Sequence, residues 1–122
     1  MLIGQFEVQV DNKARIFIPS KFDSEKGDAL VLLHDSLLNC YELYNKNTIE
    51  EKFKQLDDLI LSAQTEEELA RYKLIFYDFC KSILKECVVD SQSRISLGNE
   101  FSAHEKLQVI GAYDHAILER KK

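Results

Sequence analysis

The feature of this sequence that most constrains its fold is a pattern that occurs twice, 79 positions apart. Residues 10–22 read VDNKARIFIPSKF, and residues 89–101 read VDSQSRISLGNEF. An ungapped alignment matches five of the thirteen residues (Val, Asp, Arg, Ile and Phe) at the same places in both copies. We therefore predict an internal duplication in which both copies build the same local structure.

Each copy is predicted to form two strands joined by a tight polar turn. Residues 5–10 alternate polar and apolar side chains, which is the period of a half-buried strand, and Ile16 and Ile18 alternate again. Between them, the Asp11 side chain can accept hydrogen bonds from backbone N–H groups two residues on. Because a two-stranded hairpin is marginal alone in water, we expect the copies to bury each other's apolar faces as halves of a small pseudo-symmetric β-barrel.

More strand candidates follow each copy. They are residues 29–33 and 40–44 after the first copy, with a break at 34–36, and residues 107–111 and 116–118 after the second, with a break at 113–115.

The insert between the copies is predicted to be a helical pair at about residues 48–83. Thr48 with Glu51, and Thr65 with Glu68, have the spacing of capping boxes, in which the threonine is the N-cap and the glutamate reaches back to it. The apolar positions at helical spacing are Ile49, Phe53, Leu56, Ile60 and Ala63, then Leu69, Tyr72, Phe76, Phe79 and Ile83.

These elements predict one α+β domain over residues 1–122, with repeat halves at about 1–46 and 84–119. Formal net charge is −5, which disfavours nucleic-acid binding, since such proteins are usually basic. However, residues 48–70 hold seven acidic and two basic side chains, so this segment carries the whole excess. The rest of the chain is neutral, and a local basic patch remains open.

Other classes of protein find little support. Cys40, Cys80 and Cys87 lack CxxC spacing and the three histidines are scattered, so we expect reduced thiols, no metal and no cofactor. Without a Ser/His/Asp set or a glycine-rich phosphate loop, we expect neither an enzyme nor a small-molecule substrate. No apolar run approaches the length of a membrane-spanning helix, so we expect a cytoplasmic protein.

The doubled motif resembles that of the MraZ family, bacterial transcriptional regulators of the SpoVT/AbrB-like superfamily. That family carries two D-x-x-x-R motifs, usually written D-x-K-G-R, and here they are residues 11–15 and 90–94. Ile18-Pro19 is similar to the I-P strand that follows the family motif, and the opening MLIGQF, residues 39–44 and residues 109–111 sit where the family has similar segments. The resemblance covers nearly the whole chain.

The resemblance implies a fold, an assembly and a partner. The fold is a pseudo-two-fold swapped-hairpin, or double-split, β-barrel, and the assembly is a homo-oligomeric ring. The partner is double-stranded DNA, bound at short direct repeats in the promoter of the division and cell-wall gene cluster, which implies a nucleoid-associated protein. This sequence departs from the family at the motif glycine, which is Ala14 in one copy and Ser93 in the other. It also has Leu97-Gly98 in place of the second I-P pair.

A DNA-binding protein needs cations for phosphates and donors for base edges. We assign DNA binding to two groups of residues: Lys13, Arg15 and Lys21 in and after the first motif, and Gln92 and Arg94 in the second. Asp11 and Asp90 are assigned to the structure of the turns, because a carboxylate facing phosphate is repelled.

Two alternatives stay open at this point. The arginines could be ion-pair partners that brace the turns rather than DNA contacts, or they could do both. The whole protein could also be an oligomeric protein-interaction or scaffold module that keeps the fold with little DNA affinity. An antitoxin-like relative that binds DNA and a toxin is a third reading, which the doubled motif disfavours because such relatives more often carry one copy and dimerise.

Overall fold

The computed structural model of the protein describes residues 2–18 and 27–121, and in these ranges the chain forms eight β-strands and two α-helices. The strands are β1 Gln5–Gln9, β2 Arg15–Phe17, β3 Ala29–Asp35, β4 Cys40–Asn45, β5 Ile83–Val88, β6 Arg94–Ser96, β7 Lys106–Gly111 and β8 His115–Arg120. The helices are α1 Lys46–Leu61 and α2 Glu66–Ser82, and a short 3₁₀ turn spans Gly98–Glu100.

All the strand pairs are antiparallel and fall into two groups. Six strands form one sheet in the order β1-β7-β8-β4-β3-β5, and β2 pairs with β6 in a separate two-stranded ribbon. Within the described ranges, β1 and β5 are the edges of the larger sheet, which is therefore not closed by hydrogen bonds. The predicted α+β class is confirmed, whereas the predicted barrel is not seen as a closed ladder.

The two strands and the turn predicted for each copy are present, but the two strands do not pair with each other. β1 and β2 are consecutive in the first copy, yet β1 pairs with β7 and β2 pairs with β6, both from the second half of the chain. In the same way, β5 of the second copy pairs with β3 of the first half. The physical reason is that a three-residue strand such as β2 gains its partner, and the cover for its apolar face, from the other copy.

The strand registers follow a two-fold relation. Ile16 faces Ile95 at the centre of the ribbon, and Glu42 faces Ile117 within the β4–β8 pair. Exchanging the two halves of the chain converts one set of cross-strand pairs into another. For example, the cross-strand pair Gln9–Lys106 corresponds to the pair Val88–Ala29, and Val8–Leu107 corresponds to Cys87–Leu30. Within the β4–β8 pair, Tyr41–Leu118 corresponds to Ala116–Leu43. The relation ends at a register shift between Leu32 and Leu33 in β3.

The main hydrophobic core lies between the two copies, as the sequence predicted. Both copies contribute equivalent buried side chains, namely Val10, Ile16 and Ile18 from the first and Val89, Ile95 and Leu97 from the second. Burying one such side chain contributes about 1.5–3 kcal/mol. Each copy covers the apolar face of the other, so neither copy could bury its apolar face alone.

A second core joins the helices to the sheet. It contains Val31, Leu33, Tyr44 and Ile49, with Phe53, Phe79 and Ile83 packed against it. Phe53 meets Phe76 and Phe79 edge-on, with ring centroids 5.9 and 5.2 Å apart, so the aromatic stripe of α2 packs on α1. Within the described residues, neither helix is long and apolar enough to cross a bilayer.

The start of α1 differs from the prediction. Asn45, not Thr48, is the N-cap, and its Oδ1 accepts a hydrogen bond from the Thr48 backbone N–H at 2.9 Å. The helix therefore begins immediately after β4, because asparagine is as good a cap as threonine. The second predicted cap is confirmed: Thr65 Oγ1 accepts from the backbone N–H of Glu68 at 3.1 Å.

His115 connects β8 to β4 close to the two-fold centre. Its Nε2 lies 3.2 Å from Glu42 Oε2, its Nδ1 lies 2.7 Å from Asp114 Oδ1, and its ring stacks on Tyr44 with centroids 4.4 Å apart. The hydrogen bond to Glu42 raises the pKa of His115, with help from Asp114 and against the opposing effect of burial. The folded state therefore favours the imidazolium.

We expect the stability of the protein to fall as pH rises through the folded pKa of His115. The raised pKa gives a contribution of about 1 kcal/mol, typical of an ion pair, that is fully present below the unfolded value and lost above the folded one. Chemical denaturation at a series of pH values should show this fall in the wild type. It should be absent in His115→Gln and reduced in Glu42→Gln, and an unchanged pH dependence in His115→Gln contradicts the assignment.

Candidate nucleic-acid interface

The turn between β1 and β2 is organised by one carboxylate. Asp11 Oδ1 accepts hydrogen bonds from the backbone N–H groups of Lys13 at 2.8 Å and Arg15 at 2.9 Å. Its other oxygen, Oδ2, accepts from Arg15 Nε at 2.8 Å. The backbone N–H of Asp11 also donates to the carbonyl of Arg15 at 2.9 Å. The D-x-x-x-R spacing is thus the spacing at which one aspartate closes the turn and orients the arginine.

The turn before β6 repeats this geometry in the second copy. Asp90 Oδ1 accepts from the backbone N–H groups of Gln92 at 2.9 Å and Arg94 at 2.8 Å, and Oδ2 accepts from Arg94 Nε at 2.9 Å. Desolvation is the largest influence on the pKa of Asp90 and raises it, but the hydrogen bonds from Arg94 and Gln92 together hold the pKa below its ordinary value. The same balance lowers the pKa of Asp11. Both carboxylates are therefore ionised at neutral pH.

The fourth residue of each turn has a left-handed backbone. Ala14 has φ of 59° and Ser93 has φ of 58°. These positions correspond to the glycine of the family motif, and a side chain there raises the energy by about 1–2 kcal/mol. Ala14 recovers part of this because its methyl group packs against the main core, whereas Ser93 is exposed.

Each turn also accepts a backbone hydrogen bond from the other copy of the motif. The backbone N–H of Ile18 donates to the carbonyl of Ser93, and the N–H of Leu97 donates to the carbonyl of Ala14, both at 2.8 Å. Because β2 and β6 run antiparallel, the turns lie at opposite ends of the ribbon, related by the two-fold axis. The ribbon therefore presents the same backbone at both ends.

Four of the five residues predicted to bind DNA fall in this arrangement, and Lys21 lies outside the described residues. Lys13 and Gln92 are exposed at equivalent places in the two turns. Arg15 and Arg94 are half-buried and use Nε to bind the aspartates. Within residues 2–18 and 27–121, no hydrogen bond occupies the terminal guanidinium nitrogens of either arginine or the amino group of Lys13.

Sequence reasoning missed one prominent member of this surface. Phe17, between Ile16 and the buried Ile18, is 61% exposed on the outward side of β2, and it lies opposite Arg94. The signal was present in the period of two, because strand alternation turns position 17 outward when 16 and 18 face the core. No cluster of three metal-binding side chains occurs in the described residues.

The family model described as "MraZ protein, putative antitoxin-like" matches residues 1–72. A protein named transcriptional regulator MraZ, from Caldanaerobacter subterraneus subsp. tengcongensis, is 34% identical over 110 residues, which cover 88% of this chain and 70% of that protein. Proteins of the same name from Caldicellulosiruptor saccharolyticus and Thermoanaerobacter pseudethanolicus show the same identity and coverage.

We expect Ser93→Gly to stabilise the protein by about 1 kcal/mol, because glycine adopts a left-handed backbone without the side-chain penalty, less its greater freedom in the unfolded chain. Urea denaturation measures the change. Ser91→Gly, in the same turn at a position without positive φ, is the matched control and should be neutral or destabilising. Equal effects at both serines contradict strain at position 93.

Proposed function

The chain belongs to the MraZ family, and from this premise we propose that it is a DNA-binding transcriptional regulator. The observation that carries the proposal is the pair of equivalent arginine-bearing turns on one ribbon, in a chain whose relatives are named transcriptional regulators. Two-stranded ribbons fit the major groove of B-DNA. In this proposal the outward side of β2–β6 is the DNA-contacting face.

Each arginine has two separate tasks in this proposal. Its Nε binds the aspartate of its own turn, and its terminal nitrogens reach base edges or phosphates. Arginine can bind guanine O6 and N7 through two donors at once. Since Asp11 and Asp90 fix the direction of the guanidinium groups, bracing the turn and contacting DNA are complementary roles.

The remaining residues supply unequal contacts. Lys13 binds phosphate, because its exposed amino group adds a positive charge that no described residue neutralises. Gln92, at the equivalent place, offers a neutral donor. Lys21 is proposed as a further phosphate contact. The first turn therefore carries the larger share of the electrostatic attraction.

One subunit should bind DNA weakly, since Arg15 and Arg94 are each paired with a carboxylate and the formal net charge is −5. We propose that a homo-oligomeric ring of swapped-hairpin subunits repeats the ribbon, so that linked sites gain about 10²–10⁴ in avidity. Its DNA target would be short direct repeats in the promoter of the division and cell-wall gene cluster. Such a protein works in the cytoplasm, on the nucleoid.

An oligomeric protein-interaction module is the second candidate. The observation that favours it is the exposed apolar surface of α2, where Leu74, Ile75 and Tyr77 face solvent beside Asp78. The two functions differ in their response to salt. DNA binding weakens steeply as salt displaces the protein from phosphates, whereas an apolar protein contact does not.

We expect the purified protein to bind DNA from upstream of its own gene, with log affinity falling linearly against log salt concentration. Lys13→Ala combined with Arg15→Ala should abolish this binding and leave the mass in solution unchanged. A gel shift at several salt concentrations, read beside light scattering, makes both measurements. Salt-independent binding, or none, contradicts the proposed function.

Two comparison variants make this test specific to the turns. Gln92→Ala combined with Arg94→Ala changes the equivalent turn and removes one charge instead of two, so its salt slope should change less. Lys73→Ala removes an exposed lysine on α2 and should bind as the wild type does. If Lys73→Ala weakens binding as much as the first double variant, the DNA-contacting face is assigned to the wrong surface.

A further inference from the structure

Phe17 is a large, exposed apolar side chain that is not required for the ribbon to form. Ile16 and Ile95 of the ribbon face the core, so the outward positions are Arg15, Phe17, Arg94 and Ser96. The two-fold relation that pairs Ile16 with Ile95 places Ser96 where the second copy would have the equivalent of Phe17. A ribbon strand with the same backbone thus forms with a small polar residue at this position.

The register places Phe17 opposite Arg94, an arginine proposed to contact DNA. The bonds from Ile18 N–H to the Ser93 carbonyl and from Leu97 N–H to the Ala14 carbonyl mark hydrogen-bonded pairs. Pairs alternate along an antiparallel ladder, so Phe17 and Arg94 form a non-hydrogen-bonded pair, the kind in which side chains lie closer together. Phe17 therefore stands opposite Arg94, whose Nε is bound to Asp90.

The chemistry of the surface favours one occupant. Exposed rings that pack on protein usually lie within a wider apolar patch, but the outward neighbours of Phe17 in the ribbon are arginines and a serine. Cations around a single apolar group match the major groove, which offers phosphates, polar base edges and one apolar group, the thymine methyl.

We propose that Phe17 packs against the C5 methyl group of a thymine in the major groove, and that this contact gives the two-fold ribbon a direction on DNA. The inference rests on the proposed DNA binding. It adds which base is recognised, thymine, and which residue contacts it, Phe17. Because Ser96 cannot make the same contact, the two ends of the ribbon read different bases. A subunit then recognises a site that is not palindromic, and successive subunits face the same way along the DNA.

The test compares two versions of the same upstream DNA, one made with thymine and one with uracil, which lacks only the methyl group. Wild-type protein should bind the thymine DNA about four-fold more tightly, the factor expected for burying one methyl group. Phe17→Ser, which copies the residue the fold carries at position 96, should bind both DNAs equally. Tyr77→Ser, which removes an exposed ring on α2, should keep the wild-type preference.

A second variant guards against misfolding of the first. Phe17→Lys adds a charge at the same exposed position, so it should bind both DNAs equally and with a steeper salt dependence. Comparing each variant on both DNAs isolates the contact between ring and methyl group, since other effects of uracil on the duplex are common to all the proteins.

The outcomes separate this inference from the proposed function. Equal binding of both DNAs by the wild type, or a thymine preference that survives in both Phe17 variants, overturns the contact and leaves DNA binding intact. A change of mass in solution on Phe17→Ser assigns the ring to a protein interface and also overturns the contact. If wild-type protein binds neither DNA with salt dependence, the proposed function fails, and this inference fails with it.

Discussion

The pairing of β2 with β6 is the interaction on which the rest of the structure depends. It is short, with three residues in each strand, yet it places Ile16 against Ile95 inside the main core and fixes both turns through bonds to Ala14 and Ser93. β2 and β6 are far apart in sequence, with β3, β4, α1, α2 and β5 between them. Their pairing therefore requires a long loop of chain to be closed. Once formed, it orders the core and the outward surface together.

The aspartate of each turn holds the turn backbone and also orients the arginine side chain. A carboxylate that accepts two backbone N–H groups and one guanidinium N–H is satisfied without a partner from another element. Its ionisation is favoured by those bonds, since each favours the charged form. The arginine is oriented by the same contact, and a pre-oriented guanidinium loses less freedom on binding than a mobile one. The same aspartate carboxylate therefore supports both the structure of the turn and the proposed contact of the arginine with DNA.

Sequence reasoning reached the duplication, the turns and the α+β class because each leaves a local mark: matched residues, an aspartate at the right spacing, apolar periods of two and of helical length. It failed where the outcome depends on distant partners. The period that identifies β1 and β2 as strands is the same whether they pair with each other or with β7 and β6. At α1, Asn45 and Thr48 are both good caps, and the end of β4 decides between them. The period of two turns Phe17 outward, but its place opposite Arg94 depends on the register with β6, which is a pairing with a distant strand.

The two copies have diverged where the fold permits it. In the two motif copies, buried equivalents keep their character, as Val10 with Val89 and Ile16 with Ile95 show, because both members of each pair pack into the same core. Two pairs of exposed equivalents differ, since Lys13 corresponds to Gln92 and Phe17 to Ser96, whereas the outward arginines Arg15 and Arg94 are the same. The paired buried residues of the two motifs thus support a surface that differs between its two ends. Within the motifs, the change of character at exposed positions is the pattern expected when the buried positions are required by the fold and the exposed positions by what the ribbon contacts.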